Sequence, residues 1–270
     1  MNAKKILAVV IAALVLASGV LAGCKKKEAA GLTKTPGVLT VGMEIGYPPF
    51  EYYDVDGKTP IGFDVQMAKA LADKLGLKVE FVDTAWDGIF AGVTKGDYDC
   101  IMSASTITPE RLAVHNFTRP YIGNAQAMVV LKGSPITAQS PEDCAGLGVA
   151  YQGETTSDIF MQKYAAAGVP FTPYEYEKVM SCFDELKLRR VDVVVCDSTV
   201  AADYLAEPGN PYEIRWQGEA DEFFGVCLKK GNDALTAELD KALDALFADG
   251  TMLKLSQEIF GMDLVSAARK

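Results

Sequence analysis

The sequence predicts an α/β protein of two lobes on mainly parallel sheets. Three observations carry that expectation. Short aliphatic runs alternate with amphipathic helical patterns of about 10–15 residues, the order of βαβ units. One run, residues 191–196 (VDVVVC), is almost continuously apolar, as in a strand buried on both faces. The roughly 230 residues after the leader suit two lobes of ordinary domain size better than one.

The elements follow in chain order. Residues 38–42 (VLTVG) are strand-like. Asp64 opens a helical pattern in which Val65, Ala68, Leu71, Ala72 and Leu75 share one face, and Gly76 stops it. Val79 and Phe81 alternate as a strand, residues 86–93 read as a short helix, and 99–102 as a strand. Thr108 before Pro109 is an N-cap with proline at the first helical position, and Ser140 before Pro141 repeats that start signal. A strand over 147–151 leads to a helix over 157–167, stopped by Gly168. A helix over 178–189 precedes the strand 191–196, and 223–228 is read as one further strand. Helices over 233–248 and 251–260, parted by Gly250, close the chain. No repeat with a period of roughly 20–50 residues is visible.

The first residues are an address. Lys4 and Lys5 precede an uncharged stretch over 6–22, the charged-then-apolar order of a secretory signal. It ends in Leu21-Ala22-Gly23-Cys24, which is similar to a bacterial lipobox. That resemblance implies cleavage before Cys24 and its diacylation (palmitate among the chains), and two acyl chains anchor where one does not. An uncleaved anchor helix is the other reading, and both put the rest of the chain outside the cytoplasm. Residues 1–23 are thus the signal peptide and 24–36 a polar tether, whose Lys25, Lys26 and Lys27 can meet anionic headgroups or stay solvated. No later stretch reaches about 18 uncharged apolar residues, so nothing else is expected to cross a membrane.

Composition narrows the function. With 49% apolar and 23% charged residues the chain is an ordinary globular one. Its formal charge of −10 becomes −12 when the signal and its two lysines are removed, which argues against a nucleic-acid partner. A single histidine leaves little room for His-based metal or Ser-His-Asp chemistry. That residue, His115, reads as a structural residue at a strand edge. After Cys24, five cysteines remain (Cys100, Cys144, Cys182, Cys196, Cys227), and five cannot all pair. Buried free thiols are the expectation and a disulfide the alternative. There is no C-x-x-C, G-x-S-x-G, P-loop or H-E-x-x-H motif, and Gly146 and Gly148 precede a strand rather than follow one, so they read as a turn. No cofactor and no metal site is expected.

Polar residues at strand ends carry the chemistry. In open α/β sheets, ligands bind beyond the carboxyl ends of strands. Glu44 and Tyr47 follow the first strand; Ser103, Ser105 and Thr106 follow the third, with Arg111 on the next helix; Thr155 and Thr156 follow the strand at 147–151; Asp197 follows 191–196. An arginine near hydroxyls and helix N-termini suits a carboxylate, and an acid at another strand end suits an ammonium. Each residue also has a local explanation: Arg111 as an ion pair, Asp197 as a helix N-terminal acid, Thr155 as a cap.

Six stretches, in order, extend a resemblance over about residues 37–260: VGMEIGYPPFEYYDVDG, IGFDVQMAKALADKLGLKVEFV, WDGIFAGVTKGDYDCIMSASTITPERLAVHNFTRPY, SPEDCAGLGVAYQGETTS, VDVVVCDSTVAADYL and ALFADGTMLKL. The chain resembles the bacterial extracellular solute-binding proteins of family 3, the polar amino acid receptors of ABC importers. The resemblance implies a type II periplasmic-binding-protein fold, with two α/β lobes joined by a two-stranded hinge. Lobe 1 would hold 37–124 plus 223–270, and lobe 2 would hold 125–222. It implies that Arg111 grips the ligand α-carboxylate with help from Thr106, Ser105 and Thr155 (Thr156 as alternate). Asp197 would take the α-ammonium, and Ser103 would add a carbonyl or hydroxyl. Glu44, Tyr47, Trp86 and Asp87, with Phe50 nearby, would set side-chain selectivity. Two acids and two rings favour a basic amino acid, with other polar amino acids and cystine as alternatives. Ala104 and Glu154 depart from the commoner family choices. The implied partners are the amino acid, a membrane permease and, through it, an ATPase subunit; a lipid-anchored monomer on the extracytoplasmic face of the cell membrane is expected. The alternative is an exported cyclohexadienyl dehydratase-like enzyme on the same fold, which needs a general acid or base such as Glu44 or Glu154.

Overall fold

A computed structural model describes residues 31–269. The expected signal peptide, Cys24 and the start of the tether lie outside the described residues. Two five-stranded sheets form two α/β lobes. In the first, the order is Lys78–Asp83, Val38–Met43, Cys100–Ile101, Cys227–Lys229, His115–Phe117; the first three run parallel and the last two pair antiparallel. The second repeats this plan with Thr172–Tyr176, Gly148–Gln152, Val193–Asp197, Gln126–Leu131 and Tyr212–Gln217. Between them, Ile122–Asn124 pairs antiparallel with Glu222–Phe224, with Glu222 opposite Asn124. These two short strands are the crossings between the lobes.

The central strands are apolar because both faces are covered. In Val193–Asp197 all five residues are buried, Val193 and Val195 on one face and Val194 and Cys196 on the other. Helix Phe63–Leu75 lays its expected face on the first sheet, and Gly76 ends it in the left-handed conformation. Helices Asp233–Ala248 and Thr251–Phe260 pack against it, while Thr156–Ala166, Val179–Lys187 and Ser198–Ala206 cover the second sheet. All five cysteines among the described residues are free and buried. His115 opens the edge strand of the first sheet, beside Phe90 at 5.4 Å between ring centroids. No helix among the described residues is long and apolar enough to cross a membrane.

Two sequence expectations are corrected, and four elements are additional. Residues 223–228 are not one strand: Glu222–Phe224 belongs to the crossing pair and Cys227–Lys229 to the first sheet. Gly225 parts them. Its N–H donates to the Ser105 carbonyl at 3.1 Å, and a Cβ there would come within 2.7 Å of Ile107 Cδ1. The start signal at Ser140 opens only a 3₁₀ turn, Pro141–Cys144, with no side-chain cap. Three strands (Gln126–Leu131, Thr172–Tyr176, Tyr212–Gln217) and the helix Ser198–Ala206 carry no expectation from the sequence. Pro173 fits an edge strand, where its missing N–H goes unused.

Candidate functional site

Four parallel strands deliver the site, two from each sheet. Val38–Met43 runs into Glu44 and Tyr47, Cys100–Ile101 into 102–106, Gly148–Gln152 into 153–156, and Val193–Asp197 into Ser198–Ala206. Their carboxyl ends face one another around a cavity of about 300 Å³. Lobe 1 contributes Glu44, Tyr47, Trp86, Ser103, Ala104, Thr106 and Arg111 to the lining; lobe 2 contributes Gln152, Thr155, Thr156 and Asp197.

Arg111 is aimed by its local sequence. Thr108 caps the helix Pro109–Val114 by accepting the Arg111 N–H at 3.2 Å, which fixes the backbone. The guanidinium carbon then lies 4.6 Å from the Phe90 ring centroid and 5.4 Å from that of Trp86. Nη1 donates to the Thr106 carbonyl at 3.0 Å. Burial lowers its pKa, and the charges of Glu222 and Asp197 pull it back up.

Asp197 stands opposite. Its Oδ2 accepts from Tyr47 OH at 2.5 Å and its Oδ1 from Asn124 Nδ2 at 2.6 Å. Burial raises its pKa to about 7, helped by the charge of Glu222 and opposed by the Tyr47 and Asn124 hydrogen bonds and by Arg111. Glu44 is likewise lifted to about 7 by burial, while the Gln152 hydrogen bond and the charge of Lys178 draw it back. Gln152 Nε2 donates to Glu44 Oε2 at 2.7 Å and to the Glu177 carbonyl at 2.9 Å. Glu44 Oε1 and Gln152 Oε1 are both buried and have no hydrogen-bond partner among the described residues.

Several side-chain bonds tie lobe 1 to lobe 2, among them Tyr47 to Asp197, Gln152 to Glu44, and Trp86 Nε1 to the Glu154 carbonyl at 3.1 Å. The lobes are therefore closed on each other. The hydroxyls are not equivalent. Thr155 Oγ1 donates to the Gln152 carbonyl at 2.7 Å and accepts from Asp158 N, so it is used as a cap. Thr156 Oγ1 instead faces Thr106 Oγ1 at 3.5 Å and Glu222 Oε2 at 3.2 Å. Ser103 Oγ accepts from Glu44 N and donates to Glu51 Oε1, so only its carbonyl side remains for a ligand.

Three expected residues lie off the lining. Phe50 is fully buried among Phe63, Phe224 and Phe260, with its ring 6.3 Å from that of Tyr47, which it buttresses. Ser105 is buried and turned inward, its Oγ 3.4 Å from the Ser103 carbonyl. Asp87 is exposed in the first turn of Trp86–Lys95. Sequence reasoning misses Gln152, although its signal is there: it ends the strand Gly148–Gln152, just before Thr155 and Thr156. It also misses Asn124, Gln126 and Glu222 at the crossings, which no strand-end rule marks.

A polar cavity between the strand ends of two closing α/β lobes defines a solute-binding protein of the type II periplasmic-binding-protein class. The chain belongs to the bacterial extracellular solute-binding proteins, family 3, whose signature matches residues 39–262. It is 29% identical over 255 residues to the L-cystine-binding protein TcyJ of Escherichia coli (strain K12), covering 93% of this chain and 94% of that one. It is 32% identical over 233 residues to a probable amino-acid ABC transporter-binding protein of Haemophilus influenzae, covering 86% and 87%. Among solved structures it is similar to an ancestral arginine-binding protein bound to arginine (TM-score 0.79, 36% identity), covering 83% of this chain and 98% of that one. These relatives are binding proteins, and the chain is a substrate-binding receptor of an ABC importer on the extracytoplasmic side.

Proposed function

We propose that the receptor captures a free basic amino acid, arginine foremost, and closes its lobes over it. One observation carries the reading: Glu44 and Gln152 line the cavity, and the Oε1 atom of each is buried with no donor among the described residues. Such acceptors call for a donor-rich, cationic group. Charge agrees, since the lining has two acids and one arginine. Arg111 and Thr156 take the α-carboxylate, Asp197 with Tyr47 takes the α-ammonium, and Glu44 with Gln152 takes the side-chain cation, with Trp86 as an apolar wall. Thr155, Thr106 and Ser103 complete the walls. The arginine-bound relative and the cystine-binding relative support amino acid capture in general.

The mechanism follows from what closure buries. Glu44 and Asp197 both lose water when the lobes meet, and each carboxyl rises to about 7. Closing without a cation leaves two poorly compensated acids, which opposes the closed form at neutral pH. A basic amino acid, with a cationic side chain beside its α-ammonium, supplies both partners, so it binds the closed form preferentially and shifts the population. The lobes comprise 37–124 plus 223–270 and 125–222, and Ile122–Asn124 with Glu222–Phe224 serve as the hinge. The mature receptor is a monomer held to the cell membrane by acylated Cys24 on the 24–36 tether. It delivers ligand to a permease driven by a separate ATPase subunit, without a cofactor and without chemistry on the ligand.

Calorimetry with twenty amino acids plus ornithine and cystine tests the reading. The expected result is one saturable class led by arginine, lysine or ornithine at micromolar Kd or tighter, about −8 kcal/mol. Cystine or a neutral amino acid binding more tightly than every basic one, or no ligand better than millimolar, overturns it.

A further inference from the structure

Beneath the lobe 1 wall lie two acids that no ligand contact explains. Glu51 and Asp64 are both 0% exposed, and no cation lies within ion-pair distance of either among the described residues. Their chain segments are joined by Asp64 N donating to the Phe50 carbonyl at 3.0 Å. One oxygen of each is committed upward, to the wall. Glu51 Oε1 accepts from Ser103 Oγ at 2.7 Å, and that hydroxyl accepts from Glu44 N at 3.0 Å. Asp64 Oδ2 accepts from Ala104 N at 2.8 Å and from Tyr121 OH at 2.8 Å. The Glu51 carbonyl also accepts from Gly46 N and Tyr47 N. The other oxygens, Glu51 Oε2 and Asp64 Oδ1, are buried without a partner.

We propose that Glu51 and Asp64 are positioning residues: a buried acid pair that together retains one proton and whose side chains fix Glu44, Ser103 and Ala104 on the ligand-facing wall. Two fully buried carboxylates with no cation in reach oppose each other's ionisation, and burial opposes both, so one of them keeps its proton. The charges facing Glu51 are all negative: Asp64 most strongly, then Glu44 and Asp197, with only the Ser103 hydroxyl in its favour. Asp64 meets the Ala104 N–H and the Tyr121 hydroxyl. The retained proton lowers the cost of burying the two unpartnered oxygens, and the remaining negative charge strengthens the bonds to the wall. Ala104 shows why the wall needs holding: it is a non-glycine residue at φ 44°, a left-handed conformation that its N–H bond to Asp64 helps to maintain.

The inference rests on the cavity being the amino acid site, and two readouts separate the two ideas. Carbon-13 carboxyl spectra of the ligand-free protein, assigned with Glu51→Gln and Asp64→Asn, test the pair whatever the ligand is. The expected result is one proton retained on the pair at pH 7, and a fall of at least one pH unit in the surviving acid's midpoint in each amide variant. Arginine calorimetry tests the positioning. Glu51→Leu and Asp64→Leu should weaken binding at least tenfold, and the amide variants, which supply the retained proton permanently, should restore it to within about threefold of wild type. Both carboxyls ionised at pH 6, or folded leucine variants with wild-type affinity, overturn the proposal. Should the leucine variants fail to fold, the spectra and the amide variants still decide it. A wild type that binds no basic amino acid sinks the ligand assignment and leaves the proton measurement standing.

Discussion

Replacing Arg111 with alanine removes the only cationic side chain that lines the cavity among the described residues. One guanidinium N–H is spent on the Thr106 carbonyl, and the remaining donors of its fork stay available to a carboxylate. Phe90 and Trp86 hold the fork in place at 4.6 and 5.4 Å. Truncating one partner of a buried charge pair costs about 2–5 kcal/mol, or roughly 30- to 4,000-fold in Kd. A second effect adds in the same direction. The Arg111 charge lowers the Asp197 pKa, so its loss leaves Asp197 more fully protonated near neutrality and weakens the ammonium contact. The upper part of that range, at least about 100-fold, is therefore expected. Arg111→Lys keeps the charge and loses the planar fork and the stacking, so it should fall about tenfold below wild type. Titration calorimetry with arginine at pH 7.5, with thermal melts as a folding control, reads both. A folded alanine variant within threefold of wild type refutes the carboxylate assignment.

Other expectations are as direct. Glu44 and Asp197 must be ionised to hold a cation, and both sit at about 7, so arginine binding should weaken as pH falls from 8 to 5.5, by up to about tenfold per unit per group, with protons released on binding. A flat profile contradicts this. The linked stability has the opposite sign. Each folded-state carboxyl lies above its unfolded value of 4.5 or 3.8, so its contribution to the closed form is present below that value and is lost as pH rises to about 7. Saturating arginine should then raise Tm more at pH 8 than at pH 5.5, and an equal rise at both counts against the account of closure. Glu44→Gln should weaken arginine at least about tenfold while changing glutamine far less, because a buried charge partner is lost only for the cation; equal losses in the two titrations contradict its role. Trp86→Phe deletes the Nε1–H bond to the Glu154 carbonyl, and at about 0.5–1.5 kcal/mol arginine should bind roughly 2- to 13-fold more weakly, with a more open form in solution scattering.

Much of this was legible in the chain. The helix at Phe63–Leu75 announced itself by one apolar face and Gly76, and the helix at Pro109–Val114 by Thr108 and Pro109. The strand-end rule draws attention to Glu44, Thr106, Thr156 and Asp197 because a parallel strand delivers its last residue to the ligand edge whatever the distance in sequence. It passes over Gln152 because the expected strand stops at residue 151, and a period of two cannot fix a boundary that closely. The crossings stayed hidden for a different reason. Asn124 and Glu222 meet only because two three-residue strands pair across nearly a hundred residues, which no local pattern encodes. The inward turn of Ser105, the burial of Phe50 and the exposure of Asp87 are likewise properties of packing. Spacing put all three near the site, and side-chain direction kept them off its lining.

A crystal structure of the receptor grown with arginine tests the central claim most directly. The expected density is one arginine between the lobes, its carboxylate on the Arg111 fork, its ammonium on Asp197 and its guanidinium against Glu44 and Gln152. An arginine bound end for end, one lying outside the cleft, or an interlobe ligand without an amino acid backbone would contradict it.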